Sequence, residues 1–222
     1  DCHRFPGVFD DPLERLGALR SRFFSSADSL GKNPLKVERQ SFLSEKFSAF
    51  SENQRWISHG VLFVTLHLVG SNNNYDPKMK SSKNHAEFIE REDANVDWIR
   101  SAFQLAQSKD LGAIVFAFQA DVFIEKSLSE VFPATSGFRT SIGKNLLELA
   151  AQTKLPILII HGDSHQFKFD QPFFIGDKRI NNLTRIEVPG AQDMRAVEVT
   201  VDLKSASPFR AKLIGNSHDK TD

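Results

Sequence analysis

Three nearly continuous apolar runs limit what this chain can fold into: Gly60-Val-Leu-Phe-Val-Thr-Leu-His-Leu-Val69, Gly112-Ala-Ile-Val-Phe-Ala-Phe118 and Leu155-Pro-Ile-Leu-Ile-Ile160. They are rich in β-branched and aromatic side chains, and such runs read as strands buried on both faces. Helical patterns separate them. Residues 84–108 place Phe88, Val96, Ile99, Phe103 and Ala106 among their apolar positions, and residues 138–153 carry Leu146, Leu147 and Ala150. Strand–helix–strand–helix–strand is the order of an α/β core.

The flanks are less regular. Asp10-Asp11-Pro12 starts a helix, and Leu13, Leu16, Leu19 and Phe23 extend it at helical spacing over 12–24. Residues 25–43 read as a long surface loop, and Ser44 to Trp56 as a short helix or irregular segment. After the third strand, Asn182–Val188 and Ala196–Val201 alternate apolar with polar residues around Pro189-Gly190. That pattern predicts an antiparallel hairpin. Residues 205–222 are expected to form a flexible tail. With no internal repeat or low-complexity segment, residues 1–222 read as one domain.

Composition excludes several classes. With 28 basic and 28 acidic residues, formal net charge is +0, and no basic stripe suggests a nucleic-acid partner. No apolar stretch approaches the roughly 18 residues of a transmembrane helix. The single cysteine, Cys2, precludes an internal disulfide; this suits the cytoplasm and is compatible with a secreted or periplasmic protein. Twenty Phe against one Tyr, Tyr75, leave few phenol groups for chemistry. There is no Gly-x-Ser-x-Gly elbow and no Gly-rich phosphate loop.

In open α/β sheets ligands gather at the carboxyl ends of the strands. Here the first strand ends in His67, Ser71, Asn72 and Asn73, the second in Gln119 and Asp121, and the third in His161, Asp163 and His165. Parallel neighbouring strands bring these clusters to one rim. Imidazole and carboxylate together can ligate a metal ion, and amides can donate to an anion. Each cluster also has a plainer reading, as a polar turn, a hydrogen-bonded core histidine or a strand-end amide.

Val61–Asn72, Asn95-Val-Asp-Trp-Ile-Arg-Ser-Ala-Phe103 and Ile159-Ile-His-Gly-Asp-Ser-His165 resemble segments of the calcineurin-like metallophosphoesterases. The likeness spans most of residues 50–202. It implies a metallophosphoesterase-like β-sandwich flanked by helices, lacking its first strands, with the family's Asp-x-His and Gly-Asp motifs upstream of Asp1. It also implies a two-metal site that hydrolyses a small phosphorylated substrate. Gly162 and His165 match the late Gly-His-x-His motif, with Asp163 in place of its first histidine. Gln119 stands for another histidine ligand, and Asn53 for the Asn of the Asn-His pair.

On this resemblance Asp163, His165, His161 and Gln119 are expected at the metal, which is Mn, Mg or Fe/Zn. The amide and carboxylate replacements favour the harder ions, Mg²⁺, Mn²⁺ or Ca²⁺. His67 and Asn72 are expected to face the phosphate, with Asn73 and Asp121 contacting the substrate. The expected activity is that of a metal-dependent phosphoesterase-like hydrolase with a divergent site. The alternatives are a non-catalytic ligand- or partner-binding domain on the same fold, and an unrelated α/β binding module.

Overall fold

The three apolar runs form neighbouring parallel strands in the middle of a seven-stranded sheet. The computed structural model describes residues 13–78, 82–123 and 132–215. In chain order the strands are β1 (Glu38–Arg39), β2 (Gln54–Ser58), β3 (Val61–Thr65), β4 (Ala113–Ala117), β5 (Ile157–His161), β6 (Lys168–Asp170), β7 (Phe174–Ile175), β8 (Lys178–Arg179), β9 (Leu183–Glu187), β10 (Ala196–Val201) and β11 (Phe209–Ile214). The helices are α1 (Glu14–Phe23), α2 (Gln40–Leu43), the single turn α3 (Gly70–Asn73), α4 (Lys83–Ser108) and α5 (Glu148–Gln152), the last preceded by a π-helical segment, Arg139–Leu147. Ser82 caps α4 by accepting from His85 N–H at 3.2 Å.

The sheet order is β1-β2-β3-β4-β5-β9-β6. β3, β4, β5 and β9 run parallel, and β1, β2 and β6 pair antiparallel at the two edges. Successive side chains alternate between faces. Leu62, Val64, Ile114, Phe116, Ile157, Ile159 and Leu183 pack with Trp98, Ile99 and Ala102 of α4 and with Ile142 and Leu146 of the π-helical segment. On the opposite face Val61, Ala113, Val115, Leu158 and Ile186 pack with Phe209 and the half-buried Val197, Val199 and Val201 of the hairpin β10–β11. Helices thus cover one face of a mixed α/β sheet and a two-stranded ribbon covers the other. Among the described residues no helix is long and apolar enough to cross a membrane.

The expected hairpin between residues 182–188 and 196–201 does not form. β9 inserts beside β5 in parallel, and β10 pairs instead with β11, across the Asp202–Pro208 connection. The alternation along β9 did not mark a solvated face. Its charged positions, Arg185 and Glu187, are buried and paired, with Asp170 at 2.6 Å and Lys168 at 2.6 Å respectively. In the stretch expected to be a flexible tail from 205, Phe209–Ile214 is a strand; residues 216–222 lie outside the described residues, as does the helix start at residues 10–12.

The segment read as loop, short helix or irregular chain is also more ordered than its pattern suggests. Gln40, nearly fully buried, donates to Ala94 O at 2.8 Å and accepts from Asn53 Nδ2 at 2.8 Å. Gln54–Ser58 joins β3 through the turn at His59-Gly60, with Trp56 stacked on Phe63 at 5.2 Å. A strand next to the edge and half covered on its faces lacks the continuous apolar run that marks a central one.

Placing Phe209 in the second core layer has a measurable consequence. Phe209→Ala is expected to lower unfolding free energy by about 3–5 kcal/mol, the usual cost of emptying a buried aromatic site. Urea denaturation measures it; a cost below about 0.5 kcal/mol, as for an unpacked surface position, would remove β11 from the core.

Candidate active site

Parallel alignment puts the carboxyl ends of β3, β4 and β5 side by side, and Gln119 joins them. Its backbone N–H donates to Leu68 O at 3.3 Å, and its carbonyl accepts from Gly162 N–H at 3.2 Å. Its side-chain Oε1 accepts from Gly70 N–H at 2.6 Å, while Nε2 donates to Asp163 Oδ1 at 2.8 Å. One exposed amide therefore spans all three strand ends. Gly70 allows the close approach: a Cβ there would lie 2.7 Å from Asp163 Oδ2, so the carboxylate would have to move.

The 161–165 turn splits its residues between two levels. Asp163 and His165 have left-handed backbone, with φ of 80° and 60°, which turns the chain sharply after β5. Asp163 lies at the rim, where it also accepts from Asp121 N–H at 3.5 Å. His165 is exposed and packs beside Gly190, and its ring makes no hydrogen bond among the described residues. His161 lies below the rim, buried near Phe118 and Phe123 with ring centroids 6.1 and 5.9 Å away. Its Nδ1 lies 3.0 Å from Gly162 O and its Nε2 is buried without a partner. Burial pushes its pKa down, keeping the imidazole neutral.

Asp121 secures the turn from beneath. Its Oδ2 accepts from Ser164 Oγ at 2.5 Å and its Oδ1 from Phe123 N–H at 2.9 Å. Both oxygens accept hydrogen bonds within the protein.

The first strand end is held by a buried polar network. Ser71, Asn72, Asn73 and Asn74 are all left-handed, with φ between 52° and 57°. Asn tolerates this region better than most residues because its short amide bonds locally. Asn72 donates to Tyr75 O and Thr135 O, both at 3.0 Å, and accepts from Gly137 N–H at 2.8 Å. Asn73, fully buried, donates to Glu92 Oε1 and Gly137 O at 3.0 Å and accepts from Arg91. Both amides thus hold the rim loop together.

His67 sits where this network meets α4. Its carbonyl accepts from Asn95 Nδ2 at 2.9 Å, and its N–H donates to Asn53 Oδ1 at 2.9 Å. Asn53, which on the family likeness stands for the Asn of an Asn-His pair, is fully buried and ties β2's approach to β3. The His67 Nδ1 has no hydrogen-bond partner and lies 3.8 Å from Glu52 Oε1, itself held by Arg20 at 2.6 Å. Burial first, then the positive charges of Arg91 and Arg20, lower the His67 pKa to about 3. The ring is therefore neutral at physiological pH.

Arg91, Glu92, Asn95 and Ser141 are the network members that the strand-end argument passed over. Their signal was present in the sequence. Positions 88, 91, 92, 95, 99 and 102 fall on one face of a helix, so the polar residues among them had to be buried beside Phe88 and Ile99.

A metal ion places a further demand on the rim. Asp163 offers an oxygen and His165 a nitrogen, but among the described residues no group of three or more His, Cys, Asp or Glu side chains is arranged to hold one. Among the described residues, Asp163 and His165 would supply part of a ligand set. Compared with known proteins, the chain matches no family model and no curated protein at a significant level.

Glu92 makes the network sensitive to pH. Burial raises its pKa from 4.5 to about 7, against the opposing effects of hydrogen bonds from Ser141 and Asn73 and the charge of Arg91. The unfolded chain loses this proton near pH 4.5 and the folded chain near 7. The folded state therefore holds more protons in that window, and stability falls as pH rises through it. The stability of the wild type relative to Glu92→Gln is expected to drop by on the order of 3 kcal/mol across the window. Urea titrations of both proteins at the two ends measure this, and a gap independent of pH would contradict it.

Proposed function

We propose that this chain carries the strand-end rim of a phosphoester hydrolase that works with divalent metal ions, Mn, Mg or Fe/Zn, on a metallophosphoesterase-like fold with altered ligands. One observation carries the reading: the Gly70–Gln119–Asp163 chain of hydrogen bonds gathers three parallel strand ends at one point, and His165, two residues on from Asp163, is exposed. The sheet covered by helices on one face and by a β-ribbon on the other is compatible with the sandwich that the resemblance implies.

The roles follow from what each side chain has free. Asp163 is the oxygen donor, oriented by the Gln119 amide, and His165 the nitrogen donor. Metal ions in such a site supply charge for the phosphoryl oxygens and an activated water; here they require further ligands from outside the described residues. His67, neutral at physiological pH, would face the phosphate as an uncharged imidazole that makes a hydrogen bond. Asn72, Asn73 and Asp121 hold the two rim loops in place, and His161 supports the turn from below.

A second reading, a non-catalytic domain that binds a ligand or partner, is favoured by the Gln119–Asp163 bond itself. There a carboxylate and an amide satisfy one another at the position where the resemblance expects two imidazoles.

The test is made on the full-length protein. Bound metal is measured by elemental analysis, and hydrolysis of a phosphomonoester and a phosphodiester in Mn²⁺ and in Mg²⁺. Stoichiometric metal and activity are expected. His165→Ala is expected to lose metal, and Gln119→Ala, which removes the amide that orients Asp163, to weaken metal affinity about 10–100-fold. An intact protein with neither metal nor activity supports the second reading, and unchanged metal content in His165→Ala overturns the ligand assignment.

A further inference from the structure

A cleft of about 1010 Å³ opens at the end of the sheet opposite the rim. Pro156 and Asn182, at the starts of β5 and β9, lie at its base. β6, the β7–β8 hairpin and the loop before β11 form its sides. Strands of five residues place it roughly 15 Å from the Gln119–Asp163 pair. Its volume is at the upper end of the range of about 300–1,000 Å³ in which organic ligands are held.

Its charge is one-sided. Lys154, Lys178 and Arg179 line it, all exposed, and none of them forms an ion pair among the described residues. The lining carboxylate, Asp170, is neutralised by Arg185, which reaches its two oxygens at 2.8 and 2.6 Å. The apolar part of the lining includes Phe169, which keeps 41% of its surface exposed. Arg179 lies over the Phe174 ring at 5.2 Å, which holds its guanidinium at the cleft. An open aromatic face beside exposed cations matches a ligand that joins a ring to an anion. Arginine's planar fork suits phosphate oxygens in particular, and an aromatic face suits a ring.

The base of the cleft is formed in advance. Asn182 Nδ2 donates to the carbonyls of Ala150, Thr153 and Leu155 at 3.0, 3.0 and 2.9 Å, which ties the end of α5 to the starts of β5 and β9. A ligand entering here has little backbone left to order, which favours binding.

We infer that this cleft binds an organic phosphate bearing an aromatic ring, the chemistry of a nucleotide, at a site separate from the rim. The phosphates meet Lys178, Arg179 and Lys154, and the ring rests on Phe169. The assignment is independent of the hydrolase reading.

ATP, titrated calorimetrically into the full-length protein in EDTA, tests it, because chelation removes metal-dependent binding at the rim. Saturable binding that weakens with added salt is expected. The double variant Lys178→Ala/Arg179→Ala should weaken it about tenfold or more, the effect of removing charge-assisted contacts to phosphate. Phe169→Ala should weaken ATP and leave pyrophosphate unchanged, and Asp163→Ala should leave ATP binding intact. All these side chains are exposed or half-exposed, and unaltered urea midpoints confirm that the variants fold. The assignment is overturned if ATP does not saturate, if the double variant binds it as the wild type does, or if Asp163→Ala abolishes binding. The double variant should also keep whatever phosphoester hydrolysis the wild type shows, so the two sites fail independently.

Discussion

Because β3, β4 and β5 pair in parallel, their carboxyl ends emerge together on one edge of the sheet, and each connection must return across a face to the other edge. α4 and the π-helical segment with α5 make those returns and bury the helix-facing layer. The polar residues just past each strand are thereby brought within hydrogen-bonding distance, although 49 positions separate Gly70 from Gln119 and 44 separate Gln119 from Asp163. The hydrogen bonds of the rim are a consequence of strand direction before they are a matter of side-chain choice.

The rim loop after β3 rests on a second condition. A run of left-handed residues costs roughly 1–2 kcal/mol each relative to ordinary backbone. It persists because Arg91 and Glu92 on α4 meet Asn73 from inside, and because Gly137 and Thr135 meet Asn72 from the far loop. Removing one partner from such a buried network leaves another polar group unsatisfied, so its members act together. The network also explains why amides that look like ligand donors in the sequence are engaged within the protein. Meanwhile Gln119, an ordinary strand-end amide by type, occupies the centre of the rim.

Which residues were legible follows from how local their causes are. The three apolar strands, α1 and α4 carry their own periodicity, and they appear within a few residues of where it puts them. β9 was recognised as a strand but given the wrong partner, because Arg185 and Glu187 look like a solvated face until Asp170 and Lys168 are seen to bury with them. β2 and β11 escaped notice for a related reason. A short peripheral or ribbon strand needs only one partly covered face, and Gln54–Ser58 and Phe209–Ile214 carry too few apolar residues to stand out. At the rim the grouping of Gln119 with Asp163 was legible, whereas the division of the 161–165 turn into exposed His165 and buried His161 was not.

By itself, the sequence determined the central strands, the long helix, the α/β class and the polar character of each strand end, because hydrophobic periodicity and turn chemistry act over neighbouring residues. Only the tertiary structure decided which of those polar groups face one another and which are buried in holding the loops. It also decided that exposed Lys154, Lys178 and Arg179 share a cleft with Phe169. Those outcomes depend on strand order and on charge pairing between distant segments, and both arise only when the sheet closes over its helices.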